Sequence, residues 1–241
     1  MNLRILSDYS TLSRTTADLI ATYLKAKPKS IICLASGHSP RGVFEYLVSD
    51  VVSKRLTLDE CTFVSLDEWL GIPASQAGSC RDMMDKDLFK PLGIPPSRIV
   101  FFNGMAADPQ REVDVINEVI DRAGGLDIML VGVGTNGHIA MNEPGTPFDI
   151  RAHISTLTEE TQRVGQKYFE KNTALSQGLT LGLGHFREAK LPILIAAGQT
   201  KQSIMKRVLT SAPAEHLPAS VVHLMPGAYV MLDREAFQLD N

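Results

Sequence analysis

His138 and Glu143 stand five residues apart, directly after a glycine-rich turn, Gly132-Val-Gly-Thr-Asn-Gly137. An imidazole changes charge near neutral pH, and a nearby carboxylate can tune it or share a substrate with it. Gly132, Gly134 and Gly137 let the chain turn sharply and let a ligand approach the backbone. A second acidic pair lies in Leu66-Asp67-Glu68-Trp69. Neighbouring side chains of an extended chain point oppositely, so one of these two acids would reach a ligand. The competing reading is a solvated turn with an acid at a helix start. A third group, Ala35-Ser36-Gly37-His38-Ser39-Pro40, combines hydroxyls, a flexible glycine and amides of the kind that cradle a phosphate. Pro40 suits the first turn of a following helix, and Ser39 is the N-cap if the segment is an ordinary turn. Lys167 and Lys201 could neutralise an anionic substrate, though nothing in the sequence separates them from surface lysines.

Other chemistries fail on spacing. Residues 132–137 fit the G-x-G-x-x-G pattern of dinucleotide sites, which requires a helix to start on the loop. Here Pro144-Gly-Thr-Pro147 forbids a long helix, and no acidic residue is evident after a second strand. The histidines at 38, 138, 153, 185, 216 and 223 show no H-x-x-x-H or H-E-x-x-H spacing, so no metal is expected. A serine hydrolase lacks its G-x-S-x-G elbow. No cofactor is expected.

These turns need a scaffold. Apolar runs predict strands at 30–35, 62–66, 99–102, 127–131, 178–182, 191–197 and 228–232. Helical spacing predicts helices over 40–52, 79–89, 108–123, 158–170 and 200–209. In the third of these Val113, Ile116, Val119 and Ile120 share a face, and Gly124-Gly125 ends it. Strands alternating with helices predict an α/β fold, a three-layer α/β/α sandwich around a mostly parallel, Rossmann-like sheet. Residues 1–241 are expected to form one domain.

The composition fits that picture. Hydrophobic residues make up 44% of the chain and charged residues 21%, with a net charge of −3 and no basic block. Nucleic acid and anionic membrane are therefore not expected partners. No run of about 18 apolar residues marks a membrane span. The N-terminus carries Arg4 and Asp8 and lacks the apolar core of a signal peptide. Cys33, Cys61 and Cys80, an odd set without a C-x-x-C pair, predict a reducing, cytoplasmic setting.

The loop G-x-x-N-G-H-I-x-x-N-E-P, with Ser-Gly-His-Ser-Pro, Leu-Asp-Glu-Trp and Leu-Thr-Leu-Gly-Leu at 179–183, resembles the glucosamine/galactosamine-6-phosphate isomerase (deaminase) family. The resemblance runs from residue 30 to about residue 210. Ile-Cys-Leu-Ala-Ser-Gly, Leu-Asp-Glu-Trp-Leu, Gly-Ser-Cys at 78–80 and Gly-Gly-Leu-Asp at 124–127 make the galactosamine-6-phosphate type the nearest. It implies conversion of an aldose 2-amino-6-phosphate to a ketose 6-phosphate and ammonia. It places Asp67 as the base between C2 and C1, His138 at ring opening, and Glu143 as the acid tuning that histidine. Asn136 falls where some members carry aspartate. Ser36, Gly37, His38 and Ser39 fall on the phosphate loop and Lys201 on a phosphate-binding lysine. Lys167 replaces an arginine, exchanging a fork for a point charge. Glu68 and Gly137 join the substrate-binding set. A sugar phosphate is thus the implied partner. The allosteric phosphate site of some members uses an Arg and a Lys where this chain has His153 and Ser155, so activation by N-acetylglucosamine-6-phosphate is not expected. A homo-oligomer stays open, since hexamers accompany the allosteric type and shorter relatives can be monomeric. Two rival readings are a 6-phosphogluconolactonase and a non-catalytic sugar-phosphate sensor.

Overall fold

The computed structural model describes residues 1–237. The chain opens with β1 (Asn2–Leu6) and α1 (Tyr9–Ala26). Asp8 caps α1 by accepting the Thr11 amide at 2.7 Å, and Leu12, Ala17, Ile20, Ala21 and Leu24 form its buried face. β2 (Ile31–Leu34) leads through a tight turn into α2 (Arg41–Val52). β3 (Thr62–Val64) and β4 (Asp67–Trp69) follow almost without a break. α3 (Cys80–Met84) runs on as a π-helical turn, Asp85–Phe89, so the helix expected over 79–89 changes its hydrogen-bond period midway. β5 (Ile99–Val100), α4 (Pro109–Arg122) and β6 (Ile128–Val131) come next. β7 (His153–Thr156), α5 (Glu159–Gly165), β8 (Gln177–Thr180), α6 (Leu183–Glu188), β9 (Leu191–Ala196), α7 (Gln202–Thr210) and β10 (Tyr229–Asp233) complete the fold.

Seven strands form one parallel sheet in the order β1-β10-β9-β6-β2-β3-β5. The central strands are buried on both faces, so IICL, IMLV and LPILIA read as unbroken apolar runs. Side chains of β6 alternate between two cores. Ile128 and Leu130 pack with Leu12, Ile20, Phe44 and Leu47 of α1 and α2. Met129 and Val131 pack with Val113, Ile116, Phe186, Ile204 and Val208 of α4, α6 and α7. The result is the three-layer α/β/α arrangement with a mostly parallel sheet.

Three strands, β4, β8 and β7, form a separate antiparallel sheet. β8, expected near 178–182, lies outside the main sheet and pairs antiparallel with β4 and β7. The connection between β7 and β8, residues 157–176, carries the short α5 and a further helical turn. Trp69, Met83, Met141, Leu157 and Leu175 form a third apolar cluster around this small sheet.

The topology fixes where a ligand would sit. From β2 the chain moves outward to β3 and β5, then crosses to the other side of β2 to place β6, β9 and β10. The connections leaving β2 and β6 therefore diverge, and a crevice opens between the carboxyl ends of these neighbours. A Cβ added at Gly132, just past β6, would lie 3.8 Å from the Ser39 side chain, just past β2.

Candidate active site

A cavity of about 480 Å³ fills that crevice. Its walls include Ser36, His38 and Ser39 after β2, Asp67 on β4, Cys80 on α3, and Gly134, Thr135 and His138 after β6. Lys167 and Tyr168, from the helical turn after α5, and Thr200 and Lys201, from the turn after β9, face it as well. The three turns singled out in the sequence thus meet around one space. The volume suits a small polar molecule of a dozen or so heavy atoms.

Two cations, Lys167 and Lys201, face the cavity. Lys201 is largely buried and donates from Nζ to the Val133 carbonyl at 2.6 Å. Burial pushes its pKa down, and the Lys167 charge pushes it further. Lys167 Nζ lies 4.9 Å from the centre of the Tyr168 ring. His38 stacks on that ring at 5.3 Å, and burial followed by the Lys167 and Arg41 charges holds its imidazole below the ordinary value. Groups that repel one another in this way are stabilised by an anion placed among them. Gly37 sits where no side chain fits: its φ is +91°, and an added Cβ would come within 2.9 Å of Tyr168 Oη. Ser39 does not cap α2. Pro40 holds the cap position, and the Tyr9 hydroxyl accepts the Gly42 amide at 2.8 Å instead.

His138 is held in a defined orientation. Its Nδ1 lies 2.6 Å from the Ala140 carbonyl, which requires the proton on Nδ1 and leaves Nε2 as a free acceptor. Ala140 adopts a φ of +53°, a strained conformation for a residue with a side chain, and this aims its carbonyl at the ring. Gly134 underlies the imidazole, since a Cβ there would fall 1.9 Å from His138 Nε2. Burial pushes the His138 pKa down while the Glu143 charge pulls it up. The link to Glu143 runs through Asn136, which donates from Nδ2 to Glu143 Oε2 at 2.9 Å and accepts the His138 amide at 3.0 Å. Thr158 holds the same carboxylate through its hydroxyl at 3.2 Å and its amide at 3.3 Å. Asn136, Gly137 and Glu143 therefore stand behind the wall. An added Cβ on Gly137 would strike Leu217 at 2.5 Å.

The acidic pair divides as extended chain requires. Asp67 faces the cavity, and burial pushes its carboxyl up to about 6 against an opposing hydrogen bond from Cys80. Glu68 points the other way and is fully buried. It accepts the amides of Trp69, Cys80 and Arg81, each at 2.9 Å. Glu68, expected to contact substrate, does not line the cavity: its carboxylate serves the amino end of α3.

A family model described as "Glucosamine-6-phosphate isomerases/6-phosphogluconolactonase" matches residues 8–231. The chain belongs to this family. Within the glucosamine-6-phosphate isomerase/6-phosphogluconolactonase family, a glucosamine-6-phosphate deaminase of Shouchella clausii (strain KSM-K16) is 32% identical over 237 residues, which cover 98% of this chain and 96% of its own. Glucosamine-6-phosphate deaminase 1 of Bacillus subtilis (strain 168) is 33% identical, covering 96% of each chain. A solved monomeric glucosamine-6-phosphate deaminase superposes with a TM-score of 0.94 at 32% identity, over 98% of both chains. The 6-phosphogluconolactonase of Trypanosoma cruzi shares the fold, with a TM-score of 0.79 at 18% identity over 98% of this chain and 95% of its own.

Several lining groups of this family member escaped the sequence reading. Tyr168, Thr200 and Glu160 reach the cavity only through tertiary folding, and Thr135 donates to Glu160 at 2.5 Å across its mouth. Ala140 carries no chemical signal in its side chain. His153 and Ser155 lie on β7, where Nδ1 of His153 is 3.0 Å from the Arg151 carbonyl and the buried Ser155 hydroxyl donates to the Met141 carbonyl.

Proposed function

We propose that this chain isomerises and deaminates a 2-amino-2-deoxyhexose 6-phosphate, releasing ammonia and a ketose 6-phosphate. One observation carries the reading. A half-buried carboxylate whose pKa burial raises to about 6, an oriented neutral imidazole and two lysines face the same cavity. The similar deaminases of Shouchella clausii and Bacillus subtilis agree with it.

The chemistry follows from those groups. The phosphate binds between Ser36, His38 and Ser39 on one side and Lys167 and Lys201 on the other. The sugar then extends toward Asp67 and His138. Nε2 of His138 takes the proton of the anomeric hydroxyl and returns one to the ring oxygen, which opens the pyranose. Asp67 removes the C2 proton while the aldehyde oxygen O1 gains one, giving an enolamine; Asp67 then delivers its proton to C1 while the amine nitrogen gives one up. The resulting C2 imine adds water and expels ammonia. Burial helps Asp67 here, because a carboxylate of ordinary pKa is a weaker base. Glu143, acting through Asn136, stabilises the imidazole whenever it carries a proton. His153 and Ser155 offer no second phosphate site of the Arg/Lys kind, so N-acetylglucosamine-6-phosphate should not activate the enzyme.

The test is ammonia release from glucosamine-6-phosphate and galactosamine-6-phosphate side by side, with 6-phosphogluconolactone as a third substrate. Ammonia and ketose formed in equal amounts from either amino sugar supports the reading. The faster epimer then settles whether the galactosamine-like motifs set specificity. Lactone hydrolysis without ammonia release overturns it, and so does binding without turnover.

A further inference from the structure

His38 and Ser39 line the cavity described above on one side and a second cavity, of about 440 Å³, on the other. The turn that carries them is therefore a thin wall. Tyr9, the first residue of α1, stands in the second space. Its hydroxyl donates toward the His38 and Ser39 carbonyls, at 3.2 Å and 3.1 Å. The same oxygen accepts the Gly42 amide at 2.8 Å. Gly42 lies in the first turn of α2, where an amide has no acceptor within its own helix, so Tyr9 supplies one. A single phenol thus joins two consecutive peptides of the turn to the helix that follows. Tyr9 is itself held in place. Asp8 caps α1 beside it, and the Ser7 hydroxyl donates to Asp8 Oδ2 at 2.7 Å. Gly42 lets the two helices approach, since a Cβ there would come within 2.4 Å of Ser13 Oγ and 3.1 Å of Tyr9 Cε1.

Building on the reading of residues 36–39 as the phosphate-binding turn, we propose that Tyr9 is a positioning residue for that turn. A trans peptide points its C=O and its N–H in opposite directions. With the His38 carbonyl turned to Tyr9, the Ser39 amide of the same peptide is turned away from it. That amide has no acceptor among the described residues. The Tyr9 hydroxyl therefore fixes a backbone donor for the phosphate before substrate arrives. Ordering the turn in advance spares that cost at binding. The phosphate is held alike in the ground state and the transition state, so the benefit falls on KM and not on kcat.

The experiment compares wild type, Tyr9→Phe and Tyr46→Phe. Tyr9→Phe keeps the ring beside Gly42 and removes the hydroxyl. Tyr46→Phe removes another hydroxyl contact between α1 and α2, to Ser10 at 2.9 Å, which does not involve the turn. In Tyr9→Phe, KM for the amino-sugar phosphate rises about 3–10-fold with kcat unchanged, and the dissociation constant of inorganic phosphate, read by calorimetry, rises by the same factor. Tyr46→Phe matches wild type in both. Wild type that binds phosphate no better than Tyr9→Phe overturns the proposal alone, and so does an equal loss in the two variants. Wild type that binds no phosphate overturns the reading of the turn, and the proposal falls with it. A further readout needs no ligand: hydrogen exchange at the Gly42 amide speeds up in Tyr9→Phe and not in Tyr46→Phe. Exchange unchanged in Tyr9→Phe also overturns the proposal.

Discussion

Replacing Asp67 with asparagine should stabilise the protein while abolishing most of its turnover. The carboxyl group sits where burial raises its pKa from 3.8 to about 6. That displacement is about 2 units, at about 1.4 kcal/mol each, so ionising Asp67 costs the fold about 3 kcal/mol at neutral pH. The sign follows from the direction of the shift. Well below pH 3.8 the group is protonated in the folded and unfolded states alike and costs nothing, and the cost builds between there and about 6. Over that interval the unfolded chain gives up a proton that the folded state still holds, and stability falls. Asparagine keeps the shape and removes the charge. For a chain of this size Asp67→Asn should raise the unfolding midpoint by about 6–12 °C at pH 7. The gain should disappear near pH 4. Thermal unfolding of both proteins at the two pH values measures this, and the ammonia assay on the same samples should show a loss of about 10²–10⁴-fold in kcat. A variant no more stable than wild type at pH 7, or equally stabilised at both pH values, would refute the claim that Asp67 is a carboxylate kept basic by burial.

Further outcomes follow from the same geometry. The acid limb of wild-type kcat/KM should have its midpoint near pH 6, the value to which Asp67 is raised, and His138→Gln should lower the plateau without moving it; a limb near pH 4 contradicts this. Lys201→Met removes a buried cation whose Nζ is anchored on Val133, so KM should rise about 10–100-fold with kcat changed far less; initial-rate kinetics decide. Asn136→Asp replaces the donor lying 2.9 Å from Glu143 with a second carboxylate, so its unfolding midpoint should fall below wild type at about pH 8 and converge with it at about pH 4. Gly182→Ala would put a Cβ 2.1 Å from the Ile150 carbonyl and 2.2 Å from that of Arg151; with rigid backbone on both sides the cost should reach about 3 kcal/mol or more in denaturant unfolding.

The parts of the fold that read clearly from the sequence are those buried on both faces. β2, β6 and β9 appear as apolar runs because helices cover the sheet above and below, and α4 announces itself through Val113, Ile116 and Ile120. β1 gave no such signal: it is an edge strand whose Leu3 and Ile5 are 41% and 38% exposed. α1 carries a helical stripe, Ala17, Ile20, Ala21 and Leu24, but its first half is rich in Ser and Thr. β7 and the short α6 depend on partners far away in sequence, and β8 was legible as a strand although its pairing was not. The site divides similarly. Glycines, His138 and the acids mark their turns because the backbone and the chemistry both demand those residue types. Cys80, Tyr168 and Thr200 acquire meaning only when separate elements bring them to the cavity wall. Glu68 shows the opposite error, since its residue type suggested contact with a ligand while its strand position turned it inward.

The most direct test is a crystal structure of the Asp67→Asn protein with glucosamine-6-phosphate or galactosamine-6-phosphate bound. The phosphate should lie between the 36–39 turn and Lys201, C1 and C2 against residue 67, and the ring oxygen within hydrogen-bonding distance of His138 Nε2. A sugar bound in the reverse direction, with its phosphate beside His138, or one seated outside the crevice between β2 and β6, would contradict that placement.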